Sequence, residues 1–357
     1  MRRMIWAAVI SLLLTACANQ EVVNQTSLPI VGGLDRASDH QMELTYVLQT
    51  FKAGDPAAAS DLVISRKGRT RETMIDSMQL QLNRPINKSK TSLFLFGEKM
   101  AISGLGDELD VILRDARSTR RMYWGVVDGT AKELLQGDFG TNAGKGMFLQ
   151  SLLEHNTKLG FLPERTIHHF EYALLGQGID PFLPLLRYAD GKVALIGLAL
   201  FKDDKYVASL NVEQMILMKL LLERTKGGSL QVEFEKGRYV TVKNMSSAAH
   251  YKLTKDRGRP GVNIVLNVKA AVTDLQSEED TANMGDQIRA ALEKDLEKTG
   301  NEMLRMFQKE GIDPLGLGDF ARSKSRGWKE DSWKAAYPEA KLNMIAKVEL
   351  LEKGKRK

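Results

Sequence analysis

Apolar and polar positions alternate along this chain with two periods, about 2 and about 3.6 residues, and the switches between them mark out its elements. Met42, Leu44, Tyr46 and Leu48 alternate with Glu43, Thr45, Val47 and Gln49, which predicts a half-buried strand. Phe51 to Gly68, with Gly54-Asp55-Pro56 inside it, reads as a loop. Met74, Ile75, Met78 and Leu82 then recur at helical spacing until Pro85 closes the element. Ser92 to Phe96 is a short apolar strand leading through Gly97 into Glu98, and Leu109, Ile112 and Leu113 line one face of a helix ending near Arg114-Asp115. Met122 to Val127 predicts another strand, followed by a turn at Asp128-Gly129 and a helix through Leu135.

Past a glycine-rich loop from Gly137 to Gly146, the chain reads as helical to about Leu175, and Pro181 and Pro184 punctuate the next entry. Val193 to Phe201 is a buried strand, turned at Asp203-Asp204 and returned as a hairpin by Tyr206 to Leu210. Asn211 is placed to cap the helix carrying Met215, Leu217, Met218 and Leu221, which Gly227-Gly228 stops. Leu230 to Phe234, Tyr239 to Val242 and Val262 to Ala270 predict strands. A long amphipathic helix follows with Ile288, Leu292, Leu296, Met303 and Phe307 on one stripe, ended by Gly311 and Pro314, and Leu342 to Leu350 closes as a strand. The sum predicts an α+β protein with mixed or antiparallel sheets, no βαβ repeat and no internal repeat.

Ahead of these elements lies a different pattern. Met1-Arg2-Arg3 is a basic start, Ile5 to Leu14 an apolar run, and Leu14-Thr15-Ala16 leads into Cys17, the single cysteine in 357 residues. The run is too short to span a ~30 Å hydrocarbon core, so it reads as an export signal. A cysteine at its end reads as the lipid acceptor of a bacterial lipoprotein: residues 1–16 are removed and acylated Cys17 becomes the new terminus. Each buried CH₂ contributes about 0.8 kcal/mol, so two acyl chains hold a protein stably on a membrane surface. Ala18 to Ser27 reads as a polar lead from that anchor. The next best apolar run, Val212 to Leu222, is broken by Glu213, Gln214 and Lys219 and is too short to cross.

The formal charge is +6, spread out except for Lys353-Gly354-Lys355-Arg356-Lys357, and this pattern lacks the dense basic stripe of a nucleic-acid binder. The remaining length buries a core without disulfides, as two or three domains. The candidate chemistry is thin. Gly144-Lys145 sits in the glycine-rich loop, but Phe139 stands where a phosphate loop needs glycine and Gly146 where it needs a hydroxyl. His168 and His169, near Glu171 and His155, point about 100° apart on a helix and do not chelate as an i, i+4 pair does. Glu278-Glu279-Asp280 complements the dipole of the helix that follows it. Trp328 and Trp333, near Tyr337-Pro338, could cap a pocket, with a core role as the default reading. No catalytic constellation, metal or cofactor site emerges.

The order of motifs resembles the Ger(x)C family, the lipoprotein C subunits of spore germinant receptors. The likeness is carried by Leu95-Phe96-Gly97-Glu98 leading to Leu109-Asp110-Val111-Ile112-Leu113-Arg114-Asp115, and by Val127-Asp128-Gly129 before Ala131-Lys132-Glu133-Leu134-Leu135. It continues in Ile196-Gly197-Leu198-Ala199-Leu200-Phe201-Lys202-Asp203-Asp204-Lys205, in Lys226-Gly227-Gly228, and in Gly316-Leu317-Gly318, Trp328-Lys329, Trp333 and Tyr337-Pro338. Gly33-Leu34-Asp35 stands where the family commonly has a strand-end Gly-Ile-Asp. The resemblance implies three α+β domains, each a mixed or antiparallel sheet with surrounding helices. These are expected at 17–189, 190–230 and 231–357 after the signal peptide at 1–16. It implies a non-enzymatic subunit on the outer face of the spore inner membrane, partnered by membrane-embedded A and B subunits, with no cofactor and no small-molecule ligand assigned to this chain. A solute-binding lipoprotein of a transporter is the alternative. It would need two βαβ-type lobes, which the strands after Gly228 argue against.

Overall fold

A computed structural model describes residues 27–351 apart from 53–54, 115–120, 141–143, 257–258 and 276–280. Cys17 and the Glu278-Glu279-Asp280 run lie outside the described residues. The first half runs β1 (Leu28–Ser38), β2 (Gln41–Lys52), β3 (Asp55–Gly68), α1 (Arg71–Gln79), β4 (Leu93–Gly97), α2 (Glu98–Ser103), α3 (Gly106–Arg114) and β5 (Tyr123–Val127). It continues with α4 (Ala131–Gln136), α5 (Lys145–Leu159), α6 (Ile167–Leu175), β6 (Phe182–Ala189), β7 (Lys192–Lys202), β8 (Lys205–Leu210) and α7 (Val212–Leu222). The rest comprises β9 (Ser229–Glu235), β10 (Arg238–Asp256), β11 (Arg259–Leu275), α8 (Thr281–Glu310), α9 (Leu317–Lys324), α10 (Glu330–Ala336) and β12 (Lys341–Leu351).

These strands form two mixed sheets, in the orders β3-β2-β1-β4-β5-β6-β7-β8 and β12-β11-β10-β9. The mixed α+β reading holds, but the expected absence of βαβ units does not. Strands β1, β4, β5 and β6 are mutually parallel, with helices crossing between them, and β11 joins β12 in parallel through α8 to α10. Parallel neighbours need such crossovers, because a tight turn cannot reverse direction twice. The antiparallel strands after Gly228 therefore do not by themselves exclude the transporter alternative. The segment read as a loop, 51–68, is largely the edge strand β3, paired along β2 from Lys52↔Asp55 to Met42↔Gly68. An edge strand needs little apolar pattern, and Leu62 is exposed while Ile64 is buried. The segment 190–230 places β7 and β8 at one edge of the first sheet and α7 beneath the second.

Two cores result. One face of the first sheet packs Phe94, Phe96, Trp124 and Phe201 under α1, α2, α3 and α6, the last contributing Phe170, with Phe96 and Trp124 edge to face at 4.8 Å between centroids. The other face runs without interruption through α4, α5 and α7 into the second sheet and α8. Helix α7 is buried at every residue from Met215 to Leu221. A helix apolar on nearly all sides must be enclosed, and α7 is the helix both sheets close upon. Lys219 is buried there too, its ammonium ion-paired with Glu223 at 2.5 Å.

The outer edge of the second sheet is covered in an orderly way. Helix α8 lies along β12, and the amides of Met344, Ala346 and Val348 donate to Asn301 Oδ1, Glu297 Oε1 and Glu293 Oε1 at 3.0, 3.1 and 2.8 Å. Acceptors four residues apart on one helix face match amides two apart on the strand, since both spacings are about 6 to 7 Å. Edge amides otherwise offer a template for another chain.

Candidate functional site at the junction of the two sheets

The collinear motifs converge on two buried carboxylates, each held by the amides of a following helix. The first is Asp35, at the end of β1. Its oxygens accept from the backbone N–H groups of Ala131 at 2.8 Å and Lys132 at 2.9 Å, the start of α4. Gly97 permits this, because a Cβ there would stand 2.0 Å from Asp35 Oδ1, and Glu98 N–H donates to the Gly129 carbonyl at 2.9 Å. Three motifs far apart in sequence thus meet at the C-terminal ends of β1, β4 and β5. Burial pushes the Asp35 carboxyl up, against the two amides that favour its charged form. The neighbouring Lys132 and Glu43 pair at 2.6 Å. This place is filled.

The second carboxylate lies between the sheets. The tetrapeptide Gly-Ile-Asp-Pro occurs twice, at Gly178-Ile179-Asp180-Pro181 and Gly311-Ile312-Asp313-Pro314, and the fold brings the copies face to face. Asp180 N–H donates to the Asp313 carbonyl at 3.0 Å, and Asp313 N–H donates to Asp180 Oδ2 at 2.7 Å. Both glycines are left-handed, with φ of 71° and 66°. The Asp313 carboxylate accepts from Leu317 N–H at 2.9 Å and Gly318 N–H at 2.7 Å, at the start of α9. Asp319 N–H donates to the Gly178 carbonyl at 2.8 Å, and a Cβ on Gly178 would meet the Gly318 backbone at 2.6 Å. The Gly316-Leu317-Gly318 motif is therefore a contact between the two sheets' connections.

A cavity of about 420 Å³ opens beside this pair. Its walls come from four separate stretches: Ala173 to Asp180, Lys202-Asp203, Gly311 to Asp313, and Glu330 to Pro338. Trp333 and Tyr337, tilted 43° to each other at 5.9 Å between ring centroids, form its aromatic side. The default core reading of Trp333 is thus half the answer, since it is buried and also lines a pocket; Trp328 lies outside that lining. Burial pushes Asp313 up to about 7, against the nearby amides of Leu317, Gly318 and Gly316. It raises Asp180 as well, with Asp203 adding to the rise and the Lys334 ammonium opposing it. Tyr337 is 4% exposed, and its hydroxyl has no hydrogen-bond partner among the described residues. Burial, with Asp313 and Asp180 nearby, pushes that phenol well above its usual range. Chemically the site accepts hydrogen bonds and attracts positive charge.

The other sequence candidates take structural places. His169 Nδ1 lies 3.2 Å from Thr166 N and 3.1 Å from Thr166 Oγ1, in a capping box at the start of α6. His168 lies 3.8 Å from Glu171 on that helix, and His155 sits on α5. Lys145 Nζ donates to the carbonyls of Leu135 and Gln136 at 3.2 and 3.1 Å, ending α4 instead of facing a phosphate. Gly228 N–H donates to Leu159 and Gly227 N–H to Asn244, so Lys226-Gly227-Gly228 ties α5 to the second sheet. No group of three or more metal-type side chains forms among the described residues. The signal that could have found the junction was the duplicated tetrapeptide.

Fold and junction together define a two-sheet α+β protein whose motifs are contacts between elements. Residues 19–188 match the family described as spore germination protein N-terminal domain, and residues 196–354 match spore germination B3/GerAC like, C-terminal. The chain belongs to this spore germination family. It is 24% identical to spore germination protein GerQC of Bacillus cereus over 99% of each chain. It is 22% identical to the putative spore germination protein YfkR of Bacillus subtilis, covering 97% of this chain and 95% of that one. Its fold is similar to the crystal structure of the GerBC protein, with a TM-score of 0.61 and 18% identity over 92% of this chain and 99% of that one. The boundary between the two family matches falls at the β6–β7 hairpin, inside the first sheet.

Proposed function

We propose that this protein is the lipid-anchored, non-enzymatic C subunit of a nutrient germinant receptor. In this reading acylated Cys17 holds it on the outer face of the spore inner membrane, and it assembles there with A and B membrane subunits. The observation that carries the reading is the pair of family matches covering residues 19–188 and 196–354, preceded by a basic, apolar, small-residue pattern ending in the single cysteine. No helix among the described residues is long and apolar enough to cross a membrane, which fits attachment through lipid. The family matches span both sheets, which favours this reading over the transporter alternative.

An anchor adds local concentration to whatever protein contacts join the subunits. Cys17→Ala is expected to leave circular dichroism and thermal unfolding of the body unchanged, to move the protein from the detergent phase to the aqueous phase on Triton X-114 partitioning, and to slow nutrient-triggered germination. Unchanged detergent partitioning of the variant would overturn the anchor.

A further inference from the structure

We propose that the cavity between the two Gly-Ile-Asp-Pro segments is a binding site for a small organic ammonium compound, held by the Asp180 and Asp203 carboxylates against the Trp333 and Tyr337 side chains. This goes beyond the receptor reading and does not depend on it. The volume, about 420 Å³, lies within the ~300–1,000 Å³ of small-molecule pockets, and its lining has their usual composition of an apolar wall with a few converging polar groups.

The charge of the lining selects the ligand class. Four acids border the space, Asp180, Asp203, Asp313 and Glu330, against Lys202 and Lys334. Lys334 is taken up by Glu330 at 2.9 Å. The Asp313 oxygens are turned to the Leu317 and Gly318 amides. Asp180 accepts one strong backbone bond, at 2.7 Å from Asp313, and one long one, at 3.4 Å from Asp203. A carboxylate has about four lone-pair positions, so Asp180 retains acceptor capacity. An anionic ligand meets surplus negative charge here, whereas an ammonium group finds carboxylates and two aromatic rings, both of which favour it.

Tyr337 lines the cavity beside Trp333, while its hydroxyl is sealed within the packing and has no partner among the described residues. Because the walls come from both sheets' connections, a bound ligand touches both copies of the tetrapeptide at once.

Ligand-observed saturation-transfer NMR on the full chain in detergent tests this. The probes are ethanolamine, putrescine and tyramine, each measured beside a neutral counterpart of similar shape: ethylene glycol, 1,4-butanediol and 4-ethylphenol. At least one ammonium probe is expected to bind with Kd below about 10 mM and at least about tenfold more tightly than its counterpart, a difference of about 1.4 kcal/mol. Asp203→Asn and Asp180→Asn, both checked for retained cooperative thermal unfolding, are each expected to weaken that binding about fivefold. Binding of no ammonium probe, equal binding of the neutral counterparts, or unchanged affinity in both variants would each overturn the proposal.

Discussion

The two copies of Gly-Ile-Asp-Pro have the same sequence and the same left-handed glycine, yet their carboxylates do different work. Asp313 turns inward to the amides of Leu317 and Gly318 just ahead of it, whereas Asp180 reaches across the junction to the amide of Asp313. The difference follows from what comes next in the chain. After Pro314 the backbone starts a helix whose first amides need an acceptor; after Pro181 it enters strand β6, whose amides are met by neighbouring strands. One copy is thus a local brace and the other a link between the sheets. Local sequence sets a residue's conformation, and the element that follows sets its partner.

The comparison can be broken most severely at Asp313. Asp313→Ala leaves two buried amides without an acceptor and is expected to cost about 3 kcal/mol at pH 5, measured by urea unfolding. The sign of its pH dependence is fixed by the direction of the shift. A carboxyl raised in the folded state to about 7 contributes stability below its unfolded value of about 3.9, and that stability is lost as pH rises through the folded value. The wild-type protein therefore weakens on this account between about pH 4 and 7, and the deficit of the variant shrinks by on the order of 1 kcal/mol per pH unit. A deficit independent of pH would show that Asp313 is ionised throughout.

Gly178→Ala is expected to come next, at about 2 kcal/mol, because it adds both a positive-φ penalty and a collision with the Gly318 backbone. Differential scanning calorimetry should show a lower midpoint; an unchanged one would mean that the two connections are not in contact. Asp180→Ala removes the link alone and is expected to cost about 1–2 kcal/mol, with hydrogen exchange rising at the Asp313 amide while Leu317 and Gly318 keep their protection. Loss of protection at all three would erase the distinction between brace and link. Tyr337→Phe should be smallest and of opposite sign, stabilising the protein by about 1 kcal/mol, since it removes a buried hydroxyl that has no partner among the described residues; a loss of stability would show that the hydroxyl is bonded.

The periodic elements were legible because their spacing is local: the stripe from Ile288 to Phe307 and the cap at Asn211 stand as expected, with Asn211 Oδ1 accepting from Gln214 N–H. Strand β3 escaped because an edge strand can carry polar residues on much of its surface. The parallel order β1-β4-β5-β6 escaped because it depends on which strands meet across crossovers. Asp35, Gly97 and Gly129 could be read as motifs, but their meeting point exists only once three parallel strands are aligned. The cavity was harder still, since its walls come from stretches between Ala173 and Pro338. Only Trp333 and Tyr337-Pro338 hinted at it. Cys17 carries its meaning in sequence pattern alone, outside the described residues.

The most direct test of the functional account is recovery of the intact assembly. Spore inner membranes solubilised in mild detergent, with affinity capture through a C-terminal tag on this chain and identification by mass spectrometry, should yield two multi-spanning membrane proteins in constant ratio with it. Recovery instead of a permease together with an ATPase, or of this chain alone under conditions that keep other membrane complexes intact, would contradict the account.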